Sequence, residues 1–341
     1  MRARTRDRLV HWASHPLVFL ALELGRRVPL PGRIVVDSAE GVRHVLTAVP
    51  LDRSDARTTG GLVQREGSAG ESWFDGEGAG HRASRRALGR LLGRDGIREL
   101  QPLWRGVLEE TVAAIRHEPV DAVTMARLMA GLLTAPMLGV APTRQFALDL
   151  TAATRRVASR SVAGHLRGRA PRGLTDELER LVPGLTVADA MLATAATTTL
   201  LSAVPRALAW CADDRLWGAA ARDPSTLAAE LARVLAPSPL LPRTAADTGE
   251  VDGRRFPAGT QLLLHLLPAI AGPDPDVDRP QPAAVSQLAF GVGSHACPGR
   301  ALGPQGVAHA PAAFAPVAPT VARAVPDRAA GLPQWRELWL A

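Results

Sequence analysis

Lysine, asparagine and tyrosine are absent from this sequence of 341 residues, so all 40 of its basic residues are arginines. Codons for the three missing amino acids are rich in A and T, which indicates a GC-rich genome rather than selection on chemistry. Arginine in place of lysine and the lack of tyrosine both raise the isoelectric point. The formal net charge of +7 is therefore no evidence for a nucleic-acid partner, and we predict none.

Cysteine is scarce, and long apolar runs near the N-terminus are missing. Cys211 and Cys297 form neither a CxxC motif nor a disulfide framework, which indicates a reducing compartment. The most apolar N-terminal stretch, residues 12–22, is interrupted by His15 and is shorter than the roughly 18 residues of a membrane span. We expect a soluble, cytoplasmic protein with no signal peptide and no membrane partner.

Helical patterns dominate the 46% hydrophobic chain. Residues 33–47 read as a β-branched strand, a Ser38 cap and a helix with one apolar face. Residues 48–80 are rich in glycine and serine and have no period, which predicts a loop. Helical periodicity covers residues 81–117, broken near Gly93 to Gly96. These patterns together predict a mainly α fold of the α+β class.

Further helices are predicted at residues 122–138 and 227–235. Between them, residues 155–173 carry six arginines with several glycines, which predicts an exposed connection. Val-Asp-Gly at 251–253 and Pro-Ala-Gly at 257–259 predict two turns, followed by a buried strand.

The longest predicted helix starts at the capping box of Thr186 and Asp189 and continues to about Ala212. It is apolar on nearly all sides, and such a helix has to be buried. We therefore expect it to be the central helix of the fold. Pro205 predicts a kink or an early end, because proline removes one backbone hydrogen bond and clashes with the preceding turn.

The most informative segment is residues 290–302, which read Phe-Gly-Val-Gly-Ser-His-Ala-Cys-Pro-Gly-Arg-Ala-Leu. Glycines permit positive φ and close approach of the backbone. A helix predicted to begin at Ala301 and Leu302 would direct its N-terminus at the sulfur of Cys297, and this favours the thiolate form.

This segment resembles the haem-binding loop of the cytochrome P450 family. Phe290, Gly293, His295, Cys297 and Gly299 match the family pattern, and Gly291 belongs to the same loop. The resemblance implies haem b as cofactor, with its iron bound by the Cys297 thiolate. The alternative is a buried cysteine in a tight turn.

Other matches to the family occur along the chain. Glu230-Leu-Ala-Arg233 corresponds to the family's ExxR pair, and Arg243 to an arginine that binds a haem propionate. His81 and Arg85 match the residues that reach the other propionate, and with His295 they complete the predicted propionate contacts.

The resemblance implies one cytochrome P450-like domain over residues 1–341. Its parts would be a C-helix, a central I-helix, a K-helix and a haem-binding loop, at residues 81–92, about 186–212, 227–235 and 290–302.

The resemblance also implies a monomeric haem-thiolate monooxygenase that oxidises a small organic specialised metabolite with dioxygen. Electrons would come from an acidic ferredoxin and its reductase. A stripe of arginines would receive the ferredoxin if one helix continues through all of them. These are Arg82, Arg86, Arg90 and Arg94.

The chain departs from the family where the central helix carries an acid followed by threonine. Residues 193–199 read Ala-Thr-Ala-Ala-Thr-Thr-Thr, and two registers are open. The acid position is Ala196 or Thr197, and the catalytic threonine is Thr197 or Thr198. Neither register supplies a carboxylate, and a helical threonine also often donates to the carbonyl four residues back.

A second departure lies before the haem loop. There the sequence leaves open whether Arg279 joins Glu230 and Arg233 to form a triad. Two alternatives follow from the departures. One is a haem enzyme that uses peroxide or catalyses a rearrangement. The other is a degenerate, non-catalytic relative that binds or activates a biosynthetic enzyme.

Overall fold

The computed structural model describes residues 1–28, 30–58, 86, 88–89, 91–166, 173, 175–293 and 296–341. Helices make up most of these residues, which confirms the predicted mainly α class. The helices are α1 (Ala3–Ser14), α2 (Pro16–Gly25), α3 (Ala39–Thr47), α4 (Arg94–Ala114), α5 (Ala122–Thr134), α6 (Arg144–Leu166), α7 (Asp176–Leu181), α8 (Val187–Asp213), α9 (Trp217–Arg222), α10 (Pro224–Leu235), α11 (Leu266–Ile270), α12 (Ala283–Ser286) and α13 (Gly303–Phe314).

The strands form small sheets, as the sequence predicts. They are β1 (Arg33–Val36), β2 (Leu51–Asp52), β3 (Val120–Asp121), β4 (Leu240–Ala245), β5 (Gly249–Val251), β6 (Arg254–Phe256), β7 (Gln261–His265), β8 (Val321–Pro326) and β9 (Trp335–Leu340). The largest sheet has the order β1-β7-β4-β2. Its β1 is parallel to β7, while β4 is antiparallel to both β7 and β2.

Two local predictions are confirmed by backbone geometry. Asp252 and Gly253 connect β5 to β6 with φ of 50° and 71°, and two consecutive positive φ values are typical of a tight hairpin turn. The Ser38 hydroxyl accepts a hydrogen bond from the Gly41 amide at 2.9 Å and caps α3.

The central helix α8 is 27 residues long and is capped by Thr186, whose hydroxyl accepts from the Asp189 amide at 3.1 Å. It packs against α1, α5, α6 and α13. A window of α8 is apolar enough to cross a membrane, but 67% of that window is buried inside the fold. Of the two alternatives predicted at Pro205, a kink or an early end, the early end is wrong, since the helix continues to Asp213. The packing on several sides compensates for the one hydrogen bond that proline removes.

The predicted exposed connection over residues 155–173 is wrong for its first part. Arg155 and Arg156 lie in α6, which continues to Leu166. Arg155 forms an ion pair with the buried Asp327 at 2.6 Å, and Arg156 pairs with Glu177 at 2.6 Å. Acidic residues far along the chain thus neutralise arginines that have no acidic neighbour in the sequence. Residues 167–172 lie outside the described part of the chain.

The C-helix predicted at residues 81–92 lies largely outside the described residues. Arg86, Leu88, Gly89 and Leu91 are helical. The predicted stripe of four arginines is interrupted, because α4 begins anew at Arg94 with Gly93 as its N-cap. Arg82 and Arg90 are not among the described residues. Helix α10, which the sequence predicts as a K-helix at residues 227–235, begins at Pro224, three residues before the predicted start.

Candidate functional site

Cys297 lies in a closed turn that presents its side chain outward. A 3₁₀ helix, Gln287–Phe290, ends at Gly291, whose φ is 68°, and Gly293 follows with φ of 78°. The Cys297 amide then donates to the Phe290 carbonyl at 2.7 Å and closes the turn. The Cys297 residue is exposed. The backbone pattern that the glycines require thus leads to an accessible thiol.

Close packing limits substitution around this turn. A Cβ added to Gly293 would lie 3.1 Å from the Leu46 carbonyl oxygen, and its φ is unfavourable for other residues. A Cβ added to Gly299 would lie 3.6 Å from Cys297 Sγ, an ordinary contact distance. Gly299 therefore keeps the immediate surroundings of the sulfur open.

The helix after the cysteine begins two residues later than predicted. A 3₁₀ turn, Pro298–Arg300, follows Cys297, and α13 begins at Gly303 rather than at Ala301. The cause is Pro304, which occupies the first turn of α13, where the fixed φ of proline is compatible with a helix start. A Cβ at Gly303 would lie 3.2 Å from the Phe290 ring. Phe290 thus packs on the start of α13.

Arg243 on β4 is a cation without an anion among the described residues. Its Nη1 donates to the Pro242 carbonyl at 2.8 Å, while its buried Nε has no hydrogen-bond partner within the described part of the chain. Burial, together with the charge of Arg53, lowers the pKa of Arg243 to about 10. Such a group is costly unless an anion or acceptor approaches it. It therefore fits the carboxylate of an added ligand.

The sequence predicts three further cofactor contacts. His81, Arg85 and His295 lie outside the described residues, so their roles stay predictions. Within the described part of the chain, no group of three or more His, Cys, Asp or Glu side chains is arranged to hold a metal ion. Cys297 and Arg243 nevertheless fit a haem, because they offer a thiol for iron and a cation for a carboxylate.

Thr197 and Thr198, the two threonines singled out from the sequence, are buried. Thr197 Oγ1 lies 2.8 Å from both the Ala193 carbonyl oxygen and the hydroxyl of Thr154 on α6. Thr198 Oγ1 donates to the Thr194 carbonyl at 2.6 Å. These contacts favour the structural interpretation of both hydroxyls, which the sequence left open against a catalytic one.

Sequence reasoning missed Thr199, which is only half-buried. It shares this partial exposure with Ala195 and Ala196, on the same side of α8. The next residue, Leu200, lies against α13, since a Cβ added to Gly306 would be 3.4 Å from it. The half-open side of α8 therefore borders the helix that follows Cys297. Residues 197–199 are all threonines, so the sequence does not show which of them faces the half-open side. Their burial in the structure distinguishes them.

Glu230 and Arg233 form a buried ion pair, with Nη2 and Oε2 2.5 Å apart and side chains 2% and 0% exposed. The Gln281 amide donates to Glu230 Oε1 at 2.9 Å, and Arg233 Nη1 donates to the Pro273 carbonyl at 3.0 Å. The side chain of Arg279 is not part of this arrangement, because Arg279 is exposed. Backbone groups instead add hydrogen bonds to the pair, and they attach α10 to the segment before the Cys297 turn.

Comparison with known proteins finds similarity in the fold but no match by sequence. No protein-family model matches the sequence, and the search of curated proteins finds no match to it. Solved structures are similar over nearly the whole chain. A mutant of P450 EryK in complex with erythromycin B is 20% identical with a TM-score of 0.70, covering 99% of this chain and 97% of its own.

Two further structures give the same result. Ligand-free CYP164A2 from Mycobacterium smegmatis is 20% identical with a TM-score of 0.71, and 98% of each chain is covered. P450 OxyD, involved in the biosynthesis of vancomycin-type antibiotics, is 20% identical with a TM-score of 0.62, covering 90% of this chain and 88% of its own. The protein has the cytochrome P450 fold, and the predicted fold class is confirmed.

Replacement of Arg243 by alanine is expected to lower haem occupancy. A charge-assisted hydrogen bond contributes about 1.5–3 kcal/mol, so haem affinity should fall roughly tenfold or more. Haem per chain, measured by absorbance after purification and gel filtration, reports the loss. The control is Arg255→Ala on the neighbouring hairpin, whose side chain is 91% exposed. Full occupancy in Arg243→Ala would remove the propionate assignment.

Proposed function

We propose that the protein is a cytoplasmic, monomeric haem-thiolate monooxygenase. Its substrate is a small organic specialised metabolite, oxidised with dioxygen and with electrons from an acidic ferredoxin and its reductase. The observation that carries the proposal is Cys297, an exposed thiol in a glycine turn within a cytochrome P450 fold. The similar structures of OxyD and of EryK with erythromycin B support the class of substrate.

Different residues of the chain would hold different parts of the cofactor. Cys297 would bind the iron of haem b, while Phe290, Gly291 and Gly299 shape the turn around it. Arg243 would bind a propionate, together with the predicted contacts of His81, Arg85 and His295. When bound, a thiolate-ligated haem activates dioxygen, because the thiolate donates electron density that favours O–O cleavage.

Proton supply has to differ from a carboxylate relay. Between Asp189 and Asp213 the central helix has no acidic residue. The Thr199 hydroxyl donates to the Ala195 carbonyl at 2.7 Å, so the lone pairs of its oxygen remain able to accept from a water molecule or a substrate hydroxyl. Thr199 thereby holds a proton donor in place on the half-open side of α8.

Replacement of Thr199 by alanine is expected to lower product formed per electron consumed by about tenfold or more, the low end of losses for proton-transfer groups. More of the consumed oxygen should appear as hydrogen peroxide. The assay is the ratio of product to reductant, with a substrate found by screening. Thr197→Val is the control, because the Thr154 hydroxyl keeps its own bond to the Leu150 carbonyl at 2.9 Å. Equal coupling in both variants would assign Thr199 a purely structural role.

The reduced wild-type protein under carbon monoxide tests the proposal directly. A strongly red-shifted Soret band, the signature of thiolate ligation, is the expected result. A purified chain that takes up no haem would contradict the proposal and support the non-catalytic partner of a biosynthetic enzyme. The missing acid in α8 favours, as a second candidate, a haem enzyme that uses peroxide or rearranges its substrate.

Electron transfer from the ferredoxin is expected to slow at high salt. Arg300 is exposed three residues after Cys297, and Arg86 lies on the predicted C-helix. Complementary charge raises association rates by orders of magnitude, and salt screens it. Arg86→Glu with Arg90→Glu, and separately Arg300→Glu, should slow reduction about tenfold, measured by stopped flow.

The control for these charge reversals is Arg255→Glu, on a different surface. Reduction that is indifferent to salt and to the reversals would contradict docking of an acidic ferredoxin at this surface. Turnover on peroxide with no reductase would instead support the second candidate, a haem enzyme that uses peroxide.

A further inference from the structure

Exposed apolar side chains are concentrated on the first two helices. Eight large hydrophobic residues of the described chain are exposed, and seven of them lie within residues 1–28. Leu17 is 78% exposed and Val28 56%. We call six of these side chains the N-terminal apolar patch: Leu9, Trp12, Leu17, Leu20, Leu24 and Val28.

Helix α2 is apolar on both of its sides. Phe19 and Leu22 are buried and pack with Val35, which accounts for the inner side. Leu17, Leu20 and Leu24 point outward and have exposures of 47% or more. A surface helix normally carries polar residues outside, and large exposed apolar patches mark interaction sites. The outer side of α2 is therefore suited to a contact beyond this chain.

Positive charge surrounds the patch. Residues 1–28 contain six arginines and only two acidic residues. Both acids are occupied, since Asp7 pairs with Arg206 and Glu23 with Arg26. The exposed arginines of this segment that form no ion pair with a described carboxylate are Arg2, Arg8 and Arg27. The surface that covers the patch should accordingly be apolar inside and anionic at its border.

We propose that the N-terminal apolar patch binds to the surface of an anionic lipid bilayer, with α1 and α2 lying in the interface. Leucine side chains would enter the acyl boundary, and the arginines would contact lipid phosphates. Trp12, 42% exposed at the end of α1, is the residue type that prefers the headgroup level. This replaces the expectation of no membrane contact, since residues 12–22 are too short to span but suited to lie on a surface.

Other occupants fit the surface less well. A second copy joined by a twofold axis would place the same arginines opposite one another. A protein partner usually contributes about one hydrogen bond per 100–200 Å². The outer side of α2 offers none from its side chains, which are Leu17, Leu20, Ala21 and Leu24. Hydrocarbon requires no such bonds.

Flotation of the full-length protein with lipid vesicles tests the proposal. We expect it to float with vesicles of phosphatidylcholine containing phosphatidylglycerol, and about tenfold less with phosphatidylcholine alone. Leu17→Gln with Leu24→Gln should lower binding at least about tenfold, and Arg8→Gln with Arg27→Gln should remove the preference for the anionic lipid. Trp339→Gln is the control, because among the described residues Trp339 is the one exposed large hydrophobic residue outside this segment.

An unchanged thermal unfolding midpoint shows that each variant folds. Absence of flotation with the anionic vesicles would overturn the proposal, as would binding that the leucine variant leaves unchanged. Concentration-dependent dimers that the leucine variant abolishes, without vesicle binding, would assign the patch to a second copy. None of these results depends on haem, so the experiment tests lipid binding independently of the proposed monooxygenase activity.

Discussion

Replacement of Cys297 by serine is expected to abolish the red-shifted carbon monoxide band completely, whereas replacement of Cys211 leaves it intact. The structure distinguishes the two thiols by environment. Cys297 is exposed in its glycine turn, while Cys211 is fully buried in α8. Burial raises the pKa of the Cys211 thiol far above its usual range, so Cys211 stays protonated and cannot bind iron as a thiolate.

The control is Cys211→Ala, which keeps its apolar surroundings free of an added hydroxyl. The Cys297→Ser and Cys211→Ala variants are purified with haem supplied during expression. They are compared by carbon monoxide difference spectra of the reduced proteins. Serine at position 297 preserves the size of the side chain, so a lost band reports ligation rather than a collapsed turn. A band that survives Cys297→Ser would refute Cys297 as the ligand and with it the proposed site.

The second large effect is expected from breaking the buried pair of Glu230 and Arg233. Removal of one partner of such a pair costs about 3–5 kcal/mol, because the other charge stays buried alone. That is a large part of the 5–15 kcal/mol that stabilises a typical domain. Arg233→Met should therefore lower the free energy of unfolding by about this amount or leave the protein insoluble. Urea titration followed by circular dichroism measures the change.

The chain contains a matched control at the same spacing. Asp95 and Arg98 also pair at i and i+3, but their side chains are 84% and 69% exposed. Arg98→Met should change stability by less than about 1 kcal/mol. The double variant Glu230→Leu with Arg233→Met should recover much of the loss, since no lone charge is then buried. Equal effects of Arg233→Met and Arg98→Met would show that the buried pair has no special role.

Features encoded over a few residues were predictable from the sequence. The Ser38 and Thr186 caps, the turn at Asp252 and Gly253, and the existence of a long central helix all depend on neighbouring residues. Caps and turns are short-range hydrogen-bonded structures with strong residue preferences. The loop around Cys297 belongs to the same group, because its glycines express a local backbone requirement. The fold class followed from these elements and from the resemblance of the loop.

Contacts between distant parts of the chain were not predictable. Arg206, inside the apolar α8, is fully buried because Asp7 accepts two hydrogen bonds from it at 2.6 and 2.7 Å, across 199 positions of sequence. Burial also distinguishes the partly open Thr199 from Thr197, and the buried pair at Glu230 from the solvated pair at Asp95. The exposed side of α2 looks the same in the sequence as its buried side.

The physical reason is the range of the interactions. Residue preferences act through the backbone within about one helical turn, and the sequence displays them directly. Burial and charge pairing depend on which surfaces meet, and they decide whether a given arginine or threonine has a structural or a chemical role. The sequence alone determined the helices, the turns and the cysteine loop of this protein. Only its tertiary structure decided which threonine is partly exposed, which ion pair is buried and which apolar surface remains open.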